Sequence, residues 1–74
     1  MNKQRRKELA KASELISQAQ AIIESVKEEE EDAHDNLPES IQYGEKGEQM
    51  EEYIDTLDEA YGMCDDLMSM IDEI

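Results

Sequence analysis

Apolar residues in the first half of the chain recur at alternating steps of three and four positions. Large side chains form one column, Leu9, Ile16 and Ile23, and mostly small ones form a second, Ala12, Ala19, Val26 and Ala33. This spacing is typical of an amphipathic helix that packs along another helix. It predicts a helix over about residues 3–35, with the small column allowing a neighbouring helix to approach closely.

The second half of the chain shows a clearer seven-residue repeat. Three apolar columns recur along it: Met50, Leu57, Cys64 and Ile71 in the first, Ile54, Tyr61 and Met68 in the second, and Tyr53, Ala60, Leu67 and Ile74 in the third. They predict a second helix over about residues 48–73. Asp58, Asp65 and Asp72 recur at the same interval, which we interpret as part of a coiled-coil repeat rather than as a binding motif.

Pro38 is the only proline and separates the two predicted helices. Proline lacks an N–H and disfavours helical backbone at the preceding Leu37, so the first helix should end by that residue. Proline also suits the start of a new helix, where the Glu39 carboxylate is favourable. The sequence therefore predicts an all-α, antiparallel two-helix hairpin over residues 1–74, with its bend at residues 36–47 and a single helical turn at residues 39–42.

Further apolar residues lie outside the first two columns of both helices. They are Leu15, Ile22, Tyr53, Met63, Leu67 and Met70, with core packing as the alternative for the two methionines. A lone hairpin of this size is marginal, because apolar burial at about 25 cal/mol per Å² roughly cancels an ordering entropy of about 1.5 kcal/mol per residue. We therefore expect these residues to form an association surface, used in a homodimeric four-helix bundle or in docking onto another protein.

The formal net charge of −14 is unevenly distributed. Residues 1–11 carry five basic side chains and one acid, whereas residues 12–74 carry twenty acids and only two lysines. In an antiparallel hairpin the basic start should lie beside Asp65, Asp66, Asp72 and Glu73, and the two should neutralise each other. The bend end has no comparable set of basic residues to neutralise its acids. We therefore predict an acidic tip that binds a partner, formed by Glu28, Glu29, Glu30, Glu31, Asp32, Glu45, Glu48, Glu51 and Glu52. A solvated, frayed last turn is the alternative for residues 28–32.

The sequence offers little that points to catalysis or to a cofactor. Glu31 and His34 have the spacing of di-iron bundle ligands, but Glu30 and Ala33 occupy the core columns, so both candidate ligands should face outward. Cys64 lies in an apolar column and is expected to be a buried structural thiol. We predict a protein that is not an enzyme and has no cofactor, no direct nucleic-acid binding and no membrane span, in a bacterial cytoplasm.

The bend and the start of the second helix, Asp35-Asn36-Leu37-Pro38-Glu39-Ser40-Ile41-Gln42 and Glu45-Lys46-Gly47-Glu48-Gln49-Met50-Glu51-Glu52, resemble small, uncharacterised acidic helical-hairpin proteins of phages and prophages of Gram-positive bacteria. The segment Tyr61-Gly62-Met63-Cys64 departs from the Ser-Leu-Glu-Glu-like repeats of that group. The resemblance implies no activity by itself. A phage origin favours a protein that binds and alters a host factor.

Three functions are therefore open. The first is a protein-interaction module of phage origin that binds a host or phage protein. The second is an inhibitor that mimics nucleic acid. The net charge of −18 over residues 12–74, spread along a rod of about 45 Å, gives one negative charge per roughly 2.5 Å, against one per about 1.7 Å in duplex DNA. Its target would be a defence nuclease or another basic nucleic-acid-binding protein. The third is a self-assembling structural protein.

Overall fold

A computed structural model describes the whole chain, from Met1 to Ile74, and contains three helices. They are α1 (Lys3–Asp35), α2 (Glu39–Gln42) and α3 (Glu45–Asp72). Helices α1 and α3 run antiparallel and pack along each other to form a rod of 58 × 15 × 11 Å. The prediction of an all-α, antiparallel two-helix hairpin is confirmed.

The helix ends follow from local backbone chemistry. The side chain of Asn2 accepts a hydrogen bond of 2.8 Å from the Arg5 N–H, which satisfies one of the free donors at the start of α1. Helix α1 ends at Asp35, three residues before Pro38. Pro38, whose φ is −56°, directly precedes the first residue of α2. Helix α3 begins at Glu45, three residues before the predicted start at residue 48.

The bend is held by one side chain and one glycine. The Gln42 side-chain amide donates a hydrogen bond of 3.1 Å to the His34 carbonyl, which ties α2 to the end of α1. Gly47 is buried, and a Cβ at this position would overlap the backbone carbonyl of Gln42. Its φ is not positive, so the position needs a glycine for space rather than for a left-handed backbone.

The core is a thin seam between α1 and α3. Only Gln20, Gly47 and Met50 are buried, and no large side chain is fully enclosed. The remaining seam residues are half-buried: Leu9, Ile16 and Ile23 of α1, and Ile54, Leu57, Tyr61, Cys64, Met68 and Ile71 of α3. The large-residue column of α1 and two of the three apolar columns of α3 therefore lie in the seam, whereas Tyr53, Leu67 and Ile74 of the third column are exposed.

The predicted small-residue column of α1 is wrong for three of its four members. Ala19, Val26 and Ala33 are exposed, and only Ala12 is half-buried. The seam instead takes the column one residue further along: Ser13, Gln20, Lys27 and His34, which are buried or half-buried. The two columns flank the large residues at similar angles on opposite sides, so heptad spacing alone does not decide which one turns inward.

The two helical glycines of α3 provide a test of the bend geometry. Gly47→Ala should destabilise the hairpin by about 1–3 kcal/mol, because the added methyl overlaps backbone that cannot move as a side chain would. Gly62→Ala is the matched control in the same helix. A Cβ there meets nothing within 4 Å, so this variant should gain about 1 kcal/mol from helix propensity. Urea unfolding measures both changes, and equal effects of the two substitutions would contradict the close packing of α2 on α3.

Candidate interaction surfaces

Polar side chains line one edge of the seam at regular intervals. This row of polar side chains consists of three cross-helix pairs: Gln20 with Asp65, Lys27 with Asp58, and His34 with Glu51. Each step of seven residues along α1 is matched by a step of seven back along α3. We call this set of pairs the polar ladder.

Gln20 is the buried member of the polar ladder. Its side-chain amide donates to the Tyr61 carbonyl at 3.0 Å and to Asp65 Oδ1 at 2.8 Å, so both amide hydrogens have acceptors on α3. Leaving such a buried amide without partners costs about 1–3 kcal/mol. Gln20 therefore favours the one alignment of the helices in which both acceptors lie within reach.

Lys27 links both helices in the middle of the polar ladder. Its Nζ lies 2.8 Å from Asp58 Oδ1 on α3 and 3.6 Å from Glu31 Oε1 on α1. The hydrogen bond to Asp58 raises the pKa of Lys27 above its ordinary value. Beside it, the Glu24 carboxylate, as hydrogen-bond acceptor and negative charge, raises the pKa of Tyr61.

His34 was expected to face outward, and the structure shows the opposite. Its side chain is only 13% exposed, and Nε2 lies 3.4 Å from Glu51 Oε1 without forming a hydrogen bond. The reason is the change of column described above, which turns Ala33 out and His34 in. Glu31 contacts Lys27 rather than His34, and no group of three or more His, Cys, Asp or Glu side chains is placed to hold a metal ion.

Cys64 is a free, half-buried thiol within the seam. The ladder pairs Gln20 with Asp65, next to Cys64, so about 20 Å of helix separates the thiol from His34 at 1.5 Å per residue. The structure therefore does not bring this cysteine and this histidine together.

A second uncharged stripe runs along the outside of both helices at the same heptad spacing. We call it the outer seam, and its members are Ala12, Leu15, Ala19, Ile22 and Val26 of α1, with Tyr53, Thr56, Ala60, Met63, Leu67, Met70 and Ile74 of α3. Its large side chains are between 44% exposed at Val26 and 70% exposed at Met63. None of these positions is charged, although 38% of the chain is. All six residues predicted to form the association surface lie in this stripe and are exposed.

The two halves of the outer seam lie on the same side of the hairpin. In an antiparallel pair, the corresponding edges of the two helices meet on one side, and the polar ladder occupies that side. The outer-seam residues of both helices are turned away from the core columns by about 100°, in the direction opposite to the polar ladder. They therefore lie together on the side of the hairpin opposite the ladder. The ladder register places Ile22 level with Met63, and Leu15 level with Met70.

The outer seam is large for a surface left open to water. Eight large aliphatic, methionine and tyrosine side chains at these exposures present roughly 100 Å² each, about 800 Å² in total, which exceeds the roughly 300–600 Å² of the largest patch on a typical monomer. This total is close to the about 800 Å² that each partner contributes to a standard protein interface.

The bend half of the molecule is strongly acidic. Residues 28–59 hold fourteen acids against the single Lys46. Of the predicted acidic tip, Glu30 and Glu31 are half-buried, and Glu31 contacts Lys27 of its own helix. The others are exposed: Glu51, which lies beside His34 in the polar ladder, and Glu28, Glu29, Asp32, Glu45, Glu48 and Glu52. The last three line a shallow depression with Lys46 and Gln49.

The opposite end, where the chain starts and finishes, does not form the expected ion pairs between α1 and α3. Lys11 pairs with Glu8 of its own helix at 3.3 Å, and no other basic residue of this end has a carboxylate within 4.0 Å. The ladder register explains this, because it places Ile74 level with Lys11. Residues 3–10 therefore lie at or beyond the last turn of α3, where Arg6, Leu9 and Ala10 still line a shallow depression with Ile71, Asp72 and Ile74, and we call them the basic overhang.

No protein-family model matches the chain, and searches of curated proteins and of solved structures find no significant match. The resemblance to phage proteins stays a prediction. None of the helices is both long enough and apolar enough to cross a membrane.

The raised pKa values of Lys27 and Tyr61 predict a pH dependence of stability. The folded state holds both protons to higher pH than the unfolded state does, so this stabilisation is complete below the ordinary pKa values of 10.5 and 10.0. The free energy of unfolding should therefore fall as the pH rises above about 10, through the raised values. Urea unfolding below and above this pH should show a smaller fall for Lys27→Met/Tyr61→Phe.

Lys46→Met/Tyr43→Phe is the matched control, since these two side chains make no ion pair and no side-chain hydrogen bond. It should keep the pH dependence of the wild type. An unchanged fall in the Lys27/Tyr61 variant would show that the cross-helix contacts do not hold these protons.

Proposed function

We propose that the protein is a non-catalytic interaction module that binds another polypeptide through the outer seam. The observation that carries the proposal is an uncharged, heptad-spaced stripe that spans both helices and stays exposed in the hairpin. A stripe of this size and spacing is what one face of a helical bundle looks like before its other half is added.

The spacing of the outer seam favours an α-helical partner. Side chains that recur every three or four residues form the holes into which the side chains of a parallel or antiparallel helix pack. Met63 and Met70 add flexible, polarisable side chains that adapt to an irregular partner surface. In this proposal the resemblance favours a phage-encoded protein that acts in the cytoplasm of a Gram-positive bacterium.

The arrangement of titratable groups supports binding rather than catalysis. Lys27 of the seam is paired with Asp58, His34 lies beside Glu51 without a hydrogen bond, and most other carboxylates are exposed. Catalytic carboxylates need a site that removes water and shifts their pKa values, and a thin two-helix seam does not enclose one.

Removal of apolar side chains from the outer seam should abolish partner binding. Ile22→Ser/Met63→Ser removes two side chains that are 65% and 70% exposed, so it should change the hairpin contacts little. The partner would lose about 1–3 kcal/mol for each side chain it had buried. Affinity capture from a Gram-positive bacterial lysate, with quantitative mass spectrometry, compares the variant with the wild type.

The control is Ile41→Ser/Tyr43→Ser, which removes two exposed apolar side chains near the bend and outside the outer seam. It should capture the same polypeptides as the wild type. Identical capture by all three proteins would reject the outer seam as a binding surface.

A second candidate function uses the acidic bend half to occupy a basic, nucleic-acid-binding surface of another protein. It is favoured by the excess of thirteen negative charges over residues 28–59 and by the engagement of Lys27 with Asp58 and Glu31. A surface of this charge attracts basic grooves over distances of about 10 Å at moderate salt.

The triple variant Glu28→Gln/Glu29→Gln/Asp32→Asn tests this second candidate. These acids lie near the C-terminal end of α1, where negative charge opposes the helix dipole, so neutralisation should not weaken the fold. Binding to a captured basic protein should fall about tenfold and lose much of its salt dependence. Glu14→Gln/Asp66→Asn/Glu73→Gln removes the same charge elsewhere and should bind as the wild type does. Equal binding by both triple variants would contradict the mimic.

A further inference from the structure

We infer that the polypeptide that covers the outer seam is a second copy of this chain, packed head to tail to form a four-helix bundle. The inference rests on the proposed function, since it takes the outer seam as an interface, and it names the partner. Its two independent supports are the shape of the outer seam and the distribution of charge along the rod.

The outer seam is suited to pack against itself. Both helices contribute to it, and it runs along most of the helical overlap, from Tyr53 near the bend to Ile74 at the other end. A two-fold axis through its middle, close to the level of Gln20 and Asp65, brings each copy's α1 and α3 stripes onto the other copy. About 800 Å² from each copy then meets the size of a standard interface.

The charges select the head-to-tail orientation. That two-fold axis places the basic overhang of one copy beside the bend half of the other. The overhang lacks ion pairs with α3, and the bend half has an unneutralised excess of acids. Glu29, the charged residue that continues the outer seam of α1 toward the bend, falls at the level of Lys11 of the second copy, and Arg5, seven residues before Ala12, continues the other column of the outer seam into the basic overhang.

The opposite orientation would be unfavourable. With the two copies side by side and bend against bend, fourteen acids of one copy would face fourteen of the other, and the two basic overhangs would also meet. Like charges facing each other across an interface weaken it strongly. The sequence thus carries positive and negative ends that fit only when one copy is reversed.

The experiment begins with the mass of the wild-type protein across a dilution series, by sedimentation equilibrium. The inference expects a dimer, twice the chain mass of 8.5 kDa, that dissociates on dilution and at raised salt. Ile22→Ser/Met63→Ser should shift the protein to the monomer, and the control Ile41→Ser/Tyr43→Ser should stay dimeric. A wild type that is monomeric at every concentration overturns the inference.

Charge exchange tests the orientation and does not depend on the serine variant remaining folded. Arg5→Glu/Lys11→Glu and Glu29→Lys/Asp32→Lys should each weaken their own homodimer by about tenfold, because each places like charges at both contacts. An equal mixture should form a heterodimer, because reversed charges then meet at both contacts. Native mass spectrometry separates the three species. A bend-against-bend dimer would also favour the heterodimer but would leave each homodimer as stable as that of the wild type, so homodimers that are not weakened overturn the head-to-tail arrangement, as does a purely statistical mixture.

Failure of this inference is distinguishable from failure of the proposed function. A monomeric wild type that still captures a different polypeptide through Ile22 and Met63 keeps the interaction module and removes the second copy as its partner. If the wild type is monomeric and Ile22→Ser/Met63→Ser captures the same polypeptides as the wild type, both the outer seam as a binding surface and the second copy as its partner are rejected.

Discussion

Gln20 is the buried polar group to which the alignment of the hairpin is tied, because its amide must reach the Tyr61 carbonyl and the Asp65 carboxylate together. A slide of four residues toward the bend would also place Lys27 against Ile54 and remove its cross-helix partner Asp58, leaving only the contact with Glu31 of its own helix. A slide of a whole heptad would keep acids opposite the polar ladder. The close contact of Gly47 with the backbone of α2 opposes a shift of a whole heptad, because the tightly packed bend does not allow either helix to lengthen or shorten.

The surfaces of the molecule follow from this alignment. Because the polar ladder occupies one edge of the seam, the alanine and valine column of α1 is turned to the other edge, beside Leu15 and Ile22. The same register brings residues 3–10 to the last turn of α3 and beyond it, so their basic side chains make no ion pair with the acids that were expected to neutralise them. One set of polar contacts therefore produces both the outer seam and the basic overhang.

The sequence predicts the elements well and their faces only in part. Pro38 and the heptads place the bend, both long helices and the core columns of α3, since these depend on backbone chemistry and on large apolar side chains. Apolar periodicity does not identify the column of Gln20, Lys27 and His34, because these side chains are polar and face α3 through cross-helix pairs. A signal was present in the seven-residue recurrence of Asp58 and Asp65, matched by the same interval in α1. The basic end could not be predicted because its contacts depend on the register, which the apolar pattern leaves undetermined.

A net charge of −14 is compatible with self-association because position matters more than total charge. Charges farther apart than the Debye length of about 8 Å at physiological salt are largely screened, and the rod is 58 Å long. Only charges close to the interface therefore act strongly on a second copy, and those are the basic overhang and the nearby acids of the bend. The overhang cannot neutralise all fourteen acids of the bend half, so a head-to-tail dimer would keep an acidic surface at each end. The second copy and a basic partner would thus bind different parts of the same surface, and the two proposed interactions are compatible in one molecule.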